Sequence, residues 1–211
     1  MLEQKSTILV LAPHTDDGEL GCGGSIARFI REGHEVHYVA FCSCDESLPE
    51  GMAPGTLRAE VLRATKVLGI PEERVTVLDF RVRYLAEQRQ EVLQHMVDLN
   101  RHLEPNIVFC PTREDLHQDH GVVAAEAMRA FKARTILGYE MPWNNITFDA
   151  NMLITLEEQD VNLKVAALAE YESQRHRPYI TERYIRGLSH SRGVTISQEY
   201  AEAFTLYRGV L

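Results

Sequence analysis

The chain has 211 residues, 45% of them hydrophobic, with 22 lysines and arginines against 31 aspartates and glutamates for a formal charge of −9. That length suits one domain, 1–211, with one sizeable core, and the composition is that of an ordinary globular protein. The acidic balance argues against a nucleic-acid binder, which neutralises phosphates with clustered Lys and Arg, but leaves room for a small anion held by one or two arginines.

Thr7 to Ala12 (TILVLA) is short, β-branched and uncharged, and predicts a buried strand. A glycine-rich turn follows, and Ser25 to Glu32 predicts a helix with Ile26, Phe29 and Ile30 on one face. His34 to Cys42 predicts a strand entered through Gly33, and Ser43 to Gly55 a loop long enough to be functional. Thr56 to Leu68 has the pattern of an amphipathic helix, with Thr56 as N-cap and Gly69 as terminator. Strand Val75–Phe80, helix Glu87–Leu103, strand Asn106–Cys110, helix Val122–Phe131 and strand Thr135–Tyr139 follow. After Glu140 the rhythm loosens into the loop MPWNN with the only tryptophan, a short strand Met152–Thr155 and a helix running to about Ser173. Thr155 and Glu158 have the spacing of a capping box, and Tyr179 to Arg192 is a basic helical segment. This alternation predicts a Rossmann-like α/β three-layer sandwich, its mainly parallel sheet covered on both faces and its site at the C-terminal edge of the strands.

No apolar run approaches the ~20 residues that span a bilayer, and the first apolar run is too short for a secretory leader, so a cytoplasmic protein is expected. Of the four cysteines, Cys42 and Cys44 end one strand and Cys110 sits in another, which favours buried free thiols over disulfides.

Two stretches carry chemistry. Pro13-His14-Thr15-Asp16-Asp17 follows the first strand, and Asp115-Leu116-His117-Gln118-Asp119-His120 follows the strand ending at Cys110. Either could merely cap a helix. If both strands are parallel members of one sheet, the two loops share an edge and His14, Asp17 and His120 supply a three-ligand metal set with one position left for water. Asp16 is then left over beside the metal to take a proton, and His117 faces the bound water. Cys22 ranks behind that set as a thiolate ligand, because Gly21, Gly23 and Gly24 around it suggest close backbone packing.

The pair PHTDDGELGCGG and HQDHG resembles the PIG-L/LmbE-like family of metal-dependent N-deacetylases, whose usual signatures are a His-Pro-Asp-Asp and a His-Pro-Asp-His loop. Arg58-Ala59-Glu60, Lys164 leading to Tyr171-Glu172-Ser173-Gln174, and Tyr200-Ala201-Glu202-Ala203-Phe204 agree with it. Thr15 and Gln118 replace prolines common in the family, which changes loop stiffness and not the donor set. The resemblance implies removal of an acetyl group from an N-acetylated amino sugar or its conjugate. It implies Zn2+, with Fe2+ or another divalent ion open, and Asp16 as the base. It also points to Tyr200 at the oxyanion and Arg58 at the substrate; from the residues themselves, His117 is the candidate acid or oxyanion partner, Asp119 the holder of His117 or His120, and Glu19 a substrate contact. The expected partner is that small molecule, with self-association left open. Competing readings are a metal-dependent amidase for a non-sugar amide, an inactive metal-binding scaffold, a nucleotide-binding module and a non-haem iron site. The turn GCGG is not GxGxxG, and the acidic groups before it would repel a pyrophosphate.

Overall fold

The computed structural model describes residues 5–210. Strand β1 (Thr7–Ala12) lies inside a seven-stranded sheet with β2 (Glu35–Ala40), β3 (Val75–Val77), β4 (Ile107–Pro111), β5 (Thr135–Tyr139), β6 (Met152–Leu156) and β7 (Tyr200–Arg208). Their order is β3-β2-β1-β4-β5-β7-β6. The first five pair in parallel, and β7 runs antiparallel to both β5 and β6. Ile8 to Ala12 are fully buried, as an uncharged run sandwiched between helices on both sides must be. Helices α1 (Asp17–Arg31), α2 (Thr56–Leu68) and α5 (Glu158–Ala169) pack together, α3 (Arg89–Leu103) packs on α4 (Gln118–Ala130), and α6 (Glu182–Val194) packs on β7. Among the described residues no helix is long and apolar enough to cross a membrane.

The sheet order positions the site. From β1 the chain crosses by α1 to β2, whereas β4, on the other side of β1, is reached from β3 by α3. Connections therefore leave β1 and β4 in opposite directions, and a crevice opens beyond their carboxyl ends.

The largest departure from expectation is α1, which begins at Asp17 and not at Ser25. The glycines that suggested a turn lie inside the helix. A Cβ on Gly18 would come within 2.4 Å of the Tyr38 ring, one on Gly21 within 2.4 Å of Tyr139, and one on Gly24 within 2.5 Å of Leu156. At a spacing of three these glycines share a helix face, so they let the backbone lie against its neighbours, and that packing outweighs their poor propensity. The helix breaks once, at Cys22 (φ −145°, ψ 22°). The break frees backbone groups, and buried side chains take them up. Lys164 Nζ donates to Leu20 O at 2.7 Å, and the Glu202 carboxylate accepts from Gly24 N at 3.0 Å, Ser25 N at 2.7 Å and Ser25 Oγ at 2.6 Å. Lys164 and Glu202 pair at 2.7 Å. A second buried carboxylate, Glu60 of α2, accepts from Ser173 N at 3.0 Å and Ser173 Oγ at 2.6 Å and fastens the segment after α5.

Smaller corrections have local causes. Gly55 (φ 83°), and not Thr56, is the N-cap of α2, while Gly69 (φ 92°) ends it as expected because only glycine takes that conformation without strain. The capping box of α5 is Glu157 with Asp160, two residues later than Thr155 with Glu158, since Thr155 is still paired in β6. Helix α4 begins at Gln118 rather than Val122, and β3 is only three residues long. All four cysteines are buried free thiols.

Candidate metal centre and active site

Strands β1 and β4 are hydrogen-bonded neighbours, so the loops that follow them meet. His14 comes from the β1 loop and Asp17 from the first residue of α1, while His120 stands in the first turn of α4. Three of their atoms form a triangle. His14 Nδ1 and Asp17 Oδ2 are 3.1 Å apart, His120 Nε2 and Asp17 Oδ2 3.1 Å, and His120 Nε2 and His14 Nδ1 3.2 Å. Donors bonded tetrahedrally to a metal at zinc distances stand ~3.3 Å from one another, so this triangle fits one face of such a site. His117 also brings a ring nitrogen within 4.8 Å of His14 and His120. Asp17 completes the tighter set, and it supplies the anion that offsets a cation's charge.

Each imidazole is held from behind by a carboxylate. His14 Nε2 faces Asp119 Oδ2 at 3.1 Å, and His120 Nδ1 faces Asp115 Oδ2 at 2.7 Å. These contacts fix which nitrogen points inward, as carboxylates behind metal-binding histidines do. Asp119 is itself anchored by Arg83 N at 2.5 Å and Leu85 N at 3.2 Å, and Arg83 adopts a left-handed backbone (φ 72°) that aims its N–H there. Asp17 accepts from His14 N at 2.8 Å.

The electrostatics describe a pocket that calls for positive charge. Burial works against the charged forms, yet the two imidazoles hold the Asp17 carboxyl far below the usual range. Burial likewise opposes charge on His120, but Asp17 and Asp115 raise it to about 9, and Asp17 and Asp119 raise His14. Asp16 differs from its neighbour: burial and the adjacent Asp17 charge lift it to about 6, and no other residue's side chain bonds its carboxyl among the described residues.

The remaining expected site residues divide. His117 is the N-cap of α4, its Nδ1 accepting from Asp119 N at 3.2 Å, with its ring 4.7 Å from that of His14. Burial and the two neighbouring imidazoles lower it to about 4, which favours a neutral ring, and with Nδ1 accepting, Nε2 carries the proton. The Asp119 carboxylate holds His14, because the segment 83–85 fixes it on that side, while of the two expected histidines His117 is held by the Asp119 backbone N–H. Glu19 is fully buried, bonded to Tyr38 Oη and to Tyr171 Oη (2.9 Å), and raised by burial to about 8. It has no surface to offer a substrate and instead supports the loop from beneath. Arg58 donates to Val77 O at 2.9 Å and Asp79 Oδ1 at 2.5 Å, and Tyr200 sits beside His190, ring centroids 6.1 Å apart. Neither contacts the histidine cluster. Cys22 Sγ bonds Gly18 O at 3.2 Å within α1, away from the triangle. Two participants escaped the sequence reading: Asp115, whose only signal was an acid five residues before His120, and the backbone at Arg83 and Leu85, which leaves no side-chain signal.

Comparison with known proteins identifies the family. The family model PIG-L, GlcNAc-PI de-N-acetylase, matches residues 9–131, a span holding both loops. The Escherichia coli (strain K12) protein named uncharacterized deacetylase YaiS is 28% identical over 176 residues, covering 81% of this chain and 92% of its own. GalB, the 4-carboxy-2-hydroxymuconate hydratase of Pseudomonas putida KT2440, superposes with a TM-score of 0.81 at 20% identity over 98% of both chains. The N,N'-diacetylchitobiose deacetylase of Pyrococcus horikoshii gives 0.74 at 20% identity over 97% of this chain and 84% of its own. These two likenesses establish the shared α/β fold, and since one is a hydratase and the other a deacetylase, fold alone does not name a reaction. The family model spans more than half of the sequence, and the chain belongs to the PIG-L family, whose deacetylases are hydrolases of amide bonds.

Proposed function

We propose that this protein is a zinc-dependent N-deacetylase acting on an N-acetylated amino sugar or its conjugate, with His14, Asp17 and His120 as the metal ligands. The observation that carries the reading is the triangle of donor atoms 3.1, 3.1 and 3.2 Å apart, each imidazole backed by a carboxylate. Zinc, or Fe2+ in its place, supplies Lewis acidity at the acyl oxygen and acidifies water toward a pKa of ~7. Asp16 takes the proton from the attacking water and passes it to the departing amine. Its free carboxyl and its position between the usual carboxylate range and neutrality suit both halves of that transfer, and a cation nearby keeps it ionised at the outset. His117, neutral and protonated at Nε2, donates to the oxygen that gains charge as water adds. The amide nitrogen leaves as a free amine and the acyl group as acetate. The amino-sugar class rests on the family's description, a GlcNAc-PI de-N-acetylase.

The test is acetate release by the zinc-loaded protein from a panel of free, nucleotide-linked and aglycone-linked N-acetyl amino sugars, with Asp16→Asn as blank. Release from one member, absent in the blank, identifies the substrate. Release from none of them while one metal is bound per chain removes the amino-sugar assignment.

A further inference from the structure

Trp143, the only tryptophan, lies face to face with Tyr179, ring centroids 3.9 Å apart and planes 8° from parallel. Tyr184 meets the indole edge-on at 6.0 Å, and Trp143 keeps 36% of its surface exposed. The indole stands on a rigid turn: Met141 O accepts from Asn144 N at 2.8 Å and Asn145 N at 2.9 Å, and Met141 N donates to Asn145 Oδ1 at 2.7 Å. That turn hangs from the loop that orients His120. Leu116 N donates to Asn144 O at 3.1 Å, Asn145 Nδ2 to Thr112 Oγ1 at 2.9 Å, and Asn144 Nδ2 lies 3.5 Å from Asp115 Oδ2. Tyr179 lies close enough to the other side of the site that Asp16 and Asp17, after burial, help to raise its phenol. One polar atom here is unspent: Tyr184 Oη is buried without a hydrogen-bond partner among the described residues.

A rigid aromatic face left in water and bordered by a side-chain amide matches the chemistry of a sugar ring, whose C–H face is apolar and whose edge is polar. We propose that the Trp143–Tyr179 pair is a platform for a pyranose ring next to the scissile amide, with the Asn144 side chain at the ring's edge. This rests on the amide-hydrolase reading above and specifies where the carbohydrate is recognised. Trp143 positions the substrate and takes no part in the chemistry.

The single tryptophan makes binding visible without turnover. The zinc-loaded full chain is titrated with N,N'-diacetylchitobiose and with N-ethylacetamide, an amide without a ring, while indole emission is followed. The disaccharide should shift the emission saturably and the ring-free amide should not. In parallel, Trp143→Ala should raise the KM for the disaccharide about tenfold, the scale of one aromatic stacking contact, with kcat within about threefold and hydrolysis of N-ethylacetamide unchanged. Trp143→Phe, which keeps an aromatic face, should recover part of the loss. Emission that ignores the disaccharide while hydrolysis saturates, or a Trp143→Ala loss equal for both amides, overturns the platform. Saturable emission with no acetate released upholds the platform and removes this disaccharide as a substrate. Silence in both overturns the platform.

Discussion

Lys164→Met asks whether one buried ion pair holds the broken α1 together. The ammonium donates to Leu20 O and to Glu202 Oε1, each at 2.7 Å, and the two side chains are 5% and 6% exposed. Without it the Leu20 carbonyl loses its donor, and a buried carboxylate is left with only the Gly24, Ser25 and Ser25 hydroxyl dipoles. Removing one member of such a pair costs ~3–5 kcal/mol. At a few degrees per kcal/mol for a chain of this size, the melting temperature should fall by about 10 °C. Urea unfolding followed by far-UV circular dichroism measures the loss, and an unchanged slope assigns it to the folded state. The double variant Lys164→Met/Glu202→Gln should lose less than the sum of its single changes, because the unpaired charge is gone. Zinc affinity should weaken too, since Asp17 begins the half of α1 that the pair secures. A loss below ~1 kcal/mol with unchanged zinc affinity would refute the argument, because it would mean that the kink stands without its buried charges.

Other substitutions separate the roles in the site. Asp16→Asn should retain bound zinc and lose turnover by ~10²–10⁴-fold, whereas Asp17→Ala should lose the metal, as measured by metal content after desalting. Equal metal loss in both would contradict that division. Asp115→Asn should weaken zinc binding by ~10–100-fold in a chelator competition with the fold intact, since it frees the outer nitrogen of His120. Gly21→Ala should destabilise by ~1–3 kcal/mol, because its Cβ would lie 2.4 Å from Tyr139 Cδ2. Gly121→Ala, with nothing within 4 Å of the new carbon, should instead stabilise α4 by ~0.5–1 kcal/mol in the same thermal assay.

The parallel sheet and the meeting of its two loops were legible because strands of uncharged β-branched residues end at clustered acids and imidazoles, and sheet topology does the rest. The early start of α1 was hidden because glycine signals a turn locally, and only the rings of Tyr38 and Tyr139 show why the helix needs it. Nothing in the spacing of Glu60, Lys164, Tyr171 and Glu202 says which partner each has, since pairings such as Glu202 with Ser25 join distant stretches of chain. The placement of Asp119 on His14 was equally out of reach. It depends on backbone N–H groups at Arg83 and Leu85, and every residue type but proline offers one.

The insertion of β7 between β5 and β6 sets a timetable for assembly. Glu202 caps Ser25 across 177 residues, and β6, made earlier, has no sheet partner until β7 arrives. At ribosomal speeds of ~5–20 residues per second, the first helix waits on the order of ten seconds or more for the carboxylate that completes it. During that interval the edge of β5 is open to pairing with other chains. The arrival of β7 is therefore the step that both secures Asp17 and closes the aggregation-prone edge.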